Sequence, residues 1–298
     1  MLLALLAACS EYDVENFSVH DAFQSPEDVQ RADILFVVDN SASMSEEQGR
    51  LADNFEAFVQ VLGDSKADWQ LAVTTTSSVG TGILQGEILV PERRDLETAF
   101  QAQVQVGTTG NREEQGFASA LAVIQTHPEL LRQEADLHVV FVSDEDDHSP
   151  APVKTYLESY QAAAGTGRVA LHALVGDLPE GCASGLLAAD AGKRYLNAAE
   201  LSDGLTESIC AEDYSAVLER VGLEVAGWQA VFALSTLAAP GTLTVHVDGV
   251  EIPEREVDGW IYSVGDNAVK FSGRAVPRPG MWVEVDYTRY LGGHQDEE

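Results

Sequence analysis

Residues Ile34-Leu35-Phe36-Val37-Val38 form an unbroken run of β-branched, aromatic and aliphatic side chains. A run without polar alternation suits a strand covered on both faces, as in parallel α/β sheets. It ends at once in Asp39-Asn40-Ser41-Ala42-Ser43, at the strand end where open α/β sheets bind their ligands. Asp39, Ser41 and Ser43 place a carboxylate and two hydroxyls at alternate positions. These are hard oxygen donors, suited to Mg2+, Mn2+ or Ca2+ rather than zinc.

A helix is expected next, capped by Ser45 with Gln48 three positions on, because Leu51, Phe55, Phe58, Val59 and Leu62 recur at helical spacing. A second apolar strand, Leu137 to Val142, ends in Ser143-Asp144-Glu145-Asp146-Asp147. Such a charge run is often only a solvated turn. Here it is the second acidic loop to close an apolar strand, an arrangement two separate solvated turns would not readily produce. Trp69 to Thr75 and Val169 to Val175 read as further strands, Gly80 to Val90 as a glycine-rich hairpin-like excursion, Val153 to Ala164 as a helix, Lys193 to Asn197 as a short strand and Asp213 to Val221 as a closing helix. The alternation predicts a doubly wound, mostly parallel α/β sheet of Rossmann-like form. No Gly-x-Gly-x-x-Gly follows the first strand, so a nucleotide-binding phosphate loop is missing.

The Asp-x-Ser-x-Ser loop, together with the acidic loop at Asp144, resembles the von Willebrand factor A family, whose metal-ion-dependent adhesion site begins with that motif. The resemblance spans residues 32–222. It implies that Ser41, Ser43 and a residue of a third loop touch the metal, with Asp39 and Asp144 acting directly or through water. It also implies an open position that a partner protein fills with an acidic side chain. The family's third-loop residue is a Thr just before a helix; the helix is marked here by Phe117, Ala120, Leu121 and Ile124, and Thr109 and Glu114 are both candidates. A Glu at that position would favour cation binding without any partner.

Met1 to Ser10 is an apolar run containing Leu6-Ala7-Ala8-Cys9, which resembles the lipobox of a bacterial lipoprotein. That resemblance implies a signal peptide over 1–9, lipidation of Cys9 and, with Ser10 following, an outer-membrane or cell-surface location. The run is too short to span a bilayer. Residues 10–30, polar and acidic, read as a flexible tether. In an exported protein the two remaining cysteines, Cys182 and Cys210, most simply pair, closing a loop with a stabilisation of about 3 to 4 kcal/mol in the chain-entropy model. The chain carries 49 acidic and 17 basic residues, a net charge of −32, which argues against nucleic acid and anionic membrane surfaces as partners.

The A-type domain is expected over 31–222. Beyond it, short β-type runs separated by Pro240-Gly241, Asp248-Gly249, Gly265-Asp266-Asn267 and Pro279-Gly280 predict a small all-β domain, sandwich-like, over 223–290, with an acidic tail at 291–298. Trp228, Trp260 and Trp282 are expected in its core, with a glycan-binding face as the alternative. No nucleophile and base pair up in the sequence, and His148 is the one histidine near the proposed site. Binding rather than turnover is therefore expected, with a non-adhesive structural metal and a metal-dependent hydrolase as the weaker readings.

Overall fold

The apolar runs lie side by side in a computed structural model of the chain, which describes residues 17–26, 30–65, 67–110, 113–184 and 187–290. In chain order the elements are β1 (Ser18–Gln24), β2 (Arg31–Val38), α1 (Ser45–Asp53), α2 (Phe55–Asp64), β3 (Asp68–Thr75), α3 (Leu96–Val104), α4 (Gly116–Thr126), β4 (Asp136–Ser143), α5 (Val153–Ala164), β5 (Val169–Val175), β6 (Cys182–Ser184), β7 (Leu187–Ala189), α6 (Lys193–Leu201), β8 (Thr206–Ser208) and α7 (Ser215–Val225). Six strands follow: β9 (Val231–Ala233), β10 (Thr244–Val247), β11 (Val250–Ile252), β12 (Trp260–Ser263), β13 (Ala268–Phe271) and β14 (Trp282–Thr288). The chain divides into two compact units, Asp28–Trp228 and a second that joins the residues before it to those after it.

The larger unit holds a five-stranded sheet in the order β3-β2-β4-β5-β8, and each neighbouring pair runs parallel. Alternate residues of a strand point to opposite faces, and each face has its own core. Ile34, Phe36 and Val38 meet Leu51, Phe55, Phe58, Phe100 and Val221 from α1, α2, α3 and α7. Leu35 and Val37 meet Phe117, Tyr160 and Tyr195 from α4, α5 and α6 on the other side. This is the doubly wound α/β arrangement the apolar runs predict. The excursion after β3 folds back along its outer side, where Leu89 bridges Leu71 and Leu84 bridges Thr74 in antiparallel sense, which blunts an otherwise open sheet edge.

Four local readings are corrected. Ser45 is the first helical residue rather than the cap, and no side chain caps α1; Gln48 is drawn away toward the strand-end loop instead. The helix also breaks at Asn54, so α1 and α2 are two elements. Residues from Lys193 form the helix α6, not a strand, because Tyr195, Ala198 and Ala199 are buried at helical spacing. Residues 18–24 of the supposed tether form β1, paired antiparallel along its whole length with β14. Val19, Asp21 and Phe23 are the less exposed positions of β1, and Phe23 lies 5.4 Å from Phe232.

The smaller unit is all-β, with antiparallel sheets β1-β14-β10-β11 and β12-β13-β9. Phe232, Val245, Val269, Val283 and Val285 are fully buried in it. Trp260 is a core residue, its indole N–H donating to Ile252 O at 2.7 Å, and Trp228 packs in the larger unit. Trp282 stays 49% exposed. Cys182 and Cys210 form a disulfide, which fastens the β6–β7 hairpin to the segment leading into α7. Cys9 and the 291–298 tail lie outside the described residues. Among the described residues no helix is long and apolar enough to cross a membrane.

Candidate metal centre

Counted within its own sheet, the strand order is 2-1-3-4-5, which reverses between β2 and β4. At such a switch point the two following loops diverge and leave a crevice beyond the strand ends. Val38 pairs with Val142 in the parallel register, and Asp39 N–H donates to Val142 O at 2.9 Å. Asp39 and Asp144 therefore leave the sheet side by side, one into each loop.

Asp39 is wholly buried. Its Oδ1 accepts the Ser41 amide at 2.7 Å, a turn closed by the side chain, and its Oδ2 accepts the Ser143 hydroxyl at 2.6 Å. The turn brings the Ser41 and Ser43 hydroxyl oxygens to 3.2 Å from each other, with Ser43 close enough to Asp144 to favour its ionised form. Met44, fully buried, anchors the loop's far end. Gln48 Nε2 donates to Asp39 O and to Gly107 O, both at 2.9 Å, and so ties the first loop to the third. Gly110 N–H donates to Asn40 O at 2.7 Å. A Cβ on Gly110 would lie 2.4 Å from Asn40 Oδ1, so the two loops approach closely only because that residue is glycine.

The third loop delivers Glu114, not Thr109. Glu114 is 0% exposed. It receives the Thr76 hydroxyl on Oε2, and its carboxyl lies within hydrogen-bonding reach of Asp39. Its main-chain oxygen accepts His148 N–H at 2.6 Å. Thr109 is exposed, and none of the contacts that join the cluster reaches it. Burial, and then the charge of Asp39, push the Glu114 carboxyl up to about 8. Burial also raises Asp39, and burial with the Asp39 charge raises Asp144.

Two buried carboxyls in contact cannot both stay ionised unless a proton or a cation stands between them. Among the described residues no donor reaches Glu114 Oε1 or Asp144 Oδ1, although both are buried. A buried acceptor left unpaired costs about 1 to 3 kcal/mol, so these two atoms mark where an electropositive group belongs. Among the described residues no three side chains of His, Cys, Asp or Glu make a metal cage by themselves. The fit therefore depends on combining the carboxylates with the Ser41 and Ser43 hydroxyls. All these donors are oxygens, the set that Mg2+, Mn2+ and Ca2+ prefer.

The acidic run divides by task. Asp147 is buried and accepts Phe117 N at 3.1 Å, Ser149 Oγ at 2.7 Å and Arg194 Nε at 3.0 Å; it braces the start of α4 and takes no part in the cluster. Asp146 Oδ1 accepts Arg194 N at 2.9 Å. His148 is exposed and contributes its backbone. Three site residues escape a sequence reading: Thr76, Gln48 and Ser143. Ser143 stands immediately before Asp144, and Thr76 closes a strand-end run of threonines, so position in the fold would have found both. Gln48 is disguised by its fit to a helix cap.

No family model matches the sequence, and no curated protein matches it. Among solved structures, the chain is similar to the pilus adhesin SpaC from Lactobacillus rhamnosus GG in its open conformation, at 12% identity and a TM-score of 0.49, over 94% of this chain and 42% of that one. It is similar to a von Willebrand factor type A protein from Catenulispora acidiphila, at 13% identity and a TM-score of 0.41, over 93% of this chain and 66% of the other. Proximal thread matrix protein 1 from the mussel byssus, in a form with a zinc-occupied MIDAS motif, matches at 12% identity and a TM-score of 0.40, over 73% and 52% of the two chains. This chain thus spans less than half of the adhesin's length. The α/β assignment rests on the strand order and the two cores described above.

Proposed function

We propose that this chain is a cell-envelope protein that holds a divalent cation at Asp39, Ser41, Ser43, Glu114 and Asp144 and binds a protein partner there. The observation that carries the reading is the pair of buried, unpartnered carboxyl oxygens, Glu114 Oε1 and Asp144 Oδ1, beside the two serine hydroxyls. Bound there, Mg2+, Mn2+ or Ca2+ would supply a fixed positive charge to which an oxygen of a partner can bind. The chain's own residues set the geometry. Asp39 shapes the first loop through Ser41 N–H and Ser143 Oγ. Gln48 holds that loop to the third, and Thr76 orients Glu114. Ser43, exposed while Asp39 and Glu114 are buried, marks the side from which a partner reaches the site.

The disulfide supports an oxidising compartment, and the lipobox supports a lipid anchor at Cys9. We read the role as binding rather than catalysis, with the strand-end hydroxyls of Ser143 and Thr76 shaping the carboxylates they contact. With the chain immobilised, retention of its partner from solubilised cell envelope is expected in millimolar Mg2+, and its loss both in chelator and in Ser41→Ala. Retention that ignores both changes would refute a cation-dependent role. Trp282, half-exposed and paired in register with Gln24, supports a second reading in which the β-unit binds a glycan. Loss of retention in Trp282→Ala with cation dependence intact would favour it.

A further inference from the structure

The cation reading fixes where a partner binds, and the charges around the site bear on what that partner presents. Asp39 and Glu114 are wholly buried and Asp144 nearly so. With a divalent ion held at the serine hydroxyls, the charges of these three carboxylates would outnumber its own by one, whether each met the ion directly or through water. Glu145 adds to them, held up by burial and by the charges of Asp144 and Asp39, and Glu47 does so from α1, held up by burial and by Asp144. Among the described residues few basic side chains face these groups. Arg50 lies near Glu47 and His148 near Glu145, while Arg194 is committed to Asp147 and to the Ser149 and Ala151 carbonyls. Glu46 on α1, Glu113 on the third loop and Asp190 just after β7 are exposed, and Asp190 N–H is bonded to Asp144 O at 2.8 Å.

Resting on the cation reading, we propose that Glu114 supplies from within the chain the carboxylate that a partner would otherwise bring, and that the bound ion recognises a basic partner surface. A divalent ion among three carboxylates carries a net negative charge. An incoming acid is then repelled rather than recruited, and like charges across an interface disfavour the wrong partner. A partner with Lys or Arg at the acidic rim and a carbonyl or hydroxyl oxygen at the ion meets no such repulsion. The chain's net charge of −32 steers such a surface toward it over longer range. Glu114 is thus a specificity residue as well as a ligand, and neutralising it should reverse the preference.

The test uses the full chain, Mn2+ as the ion, and three short peptides identical except for a central Asp, Asn or Lys. Water-proton relaxation reads the water bound to Mn2+, and peptide binding is read separately by fluorescence anisotropy. Wild type is expected to bind Mn2+ and to keep its ion-bound water in millimolar Asp peptide, while binding the Lys peptide more tightly than the Asp peptide. Glu114→Thr is expected to bind Mn2+ about 10- to 100-fold more weakly and to lose ion-bound water to the Asp peptide but not to the Asn peptide. Glu114→Gln, which keeps the shape and the Thr76 contact, should behave as Glu114→Thr and guards against a variant that fails to fold. The same response to the Asp peptide in wild type and in the variants, whether displacement or none, overturns the inference and leaves the cation reading standing. Failure of wild type to bind Mn2+ overturns both.

Discussion

Asp147→Ala is expected to destabilise the protein by about 3 kcal/mol and to weaken cation binding about tenfold, although Asp147 belongs to no part of the cluster. Its two oxygens accept four bonds: from Phe117 N and Ser149 Oγ on one, and from Ser149 N and Arg194 Nε on the other. Truncation leaves those donors unpaired in a buried site and removes a negative charge from the N-terminus of α4, where the helix dipole favours one. The effect should reach the metal centre because Glu114 lies two residues before α4 and is aimed by the same turn. Arg194 keeps partial access to water, with a side-chain exposure of 31%, which holds the cost near the lower end for a broken buried pair. Urea unfolding in chelator reads the first effect and calorimetric cation titration the second. A loss of less than about 1 kcal/mol would mean that Asp147 behaves as a surface charge and that the division of the acidic run is wrong.

Without a cation, the protein is expected to lose stability as the pH rises from about 7 to about 8, and saturating Mg2+ should abolish that loss. The Glu114 carboxyl is raised in the folded state from 4.5 to about 8, by burial and by the charge of Asp39. Below the unfolded value the proton is bound in both states and contributes nothing. Above it the native state keeps a proton that the unfolded chain releases, so stability falls with every step of pH until the folded value is passed. The slope has a ceiling of about 1.4 kcal/mol per pH unit for one proton. Burial shifts Asp39 and Asp144 in the same direction, so each adds to the loss only up to its own folded value.

Two buried histidines act oppositely but elsewhere on the scale. His138, held down to about 3 by burial and by Arg168, and His172, held well below its usual value by burial and by His138, remove stability only as the pH falls below about 6.5. A thermal series between pH 7 and 8.5 therefore isolates the carboxyl cluster. Glu114→Gln should flatten it. A bound cation should also flatten it, because it holds the carboxylates ionised and releases their protons on binding. A melting temperature that ignores pH in chelator would place the Glu114 carboxyl back in the ordinary range and remove the reason for a cation.

The larger unit was legible because its strands are buried on both faces and so read as apolar runs, unbroken at 34–38 and interrupted only by His138 at 137–142. The loops that follow them hold Asp39, Ser41, Ser43 and Asp144, the residues the sequence marks as candidates, and the parallel register sets Asp39 and Asp144 side by side. What stayed hidden depends on distance along the chain. The partner of β1 lies at the far end, with Ser18 opposite Thr288, so a short polar strand looked like a tether. The segment Lys193 to Asn197 is too short to show a period, and its helical character shows only when Ala198 and Ala199 are added to Tyr195. The choice between Thr109 and Glu114 turns on the path of a loop, which sequence spacing does not fix; the Thr76 contact draws Glu114 toward the strand ends, while Gly110 N–H bonds Asn40 O.

The most direct test is calorimetric titration of Mg2+, Mn2+ and Ca2+ into the chelator-treated protein at pH 8, with Ser41→Ala and Asp144→Ala alongside. One cation site in the wild type, lost in both variants with folding intact, is the expected result. Binding that survives unchanged in both variants, or no binding in the wild type, would contradict a metal centre at the ends of β2 and β4.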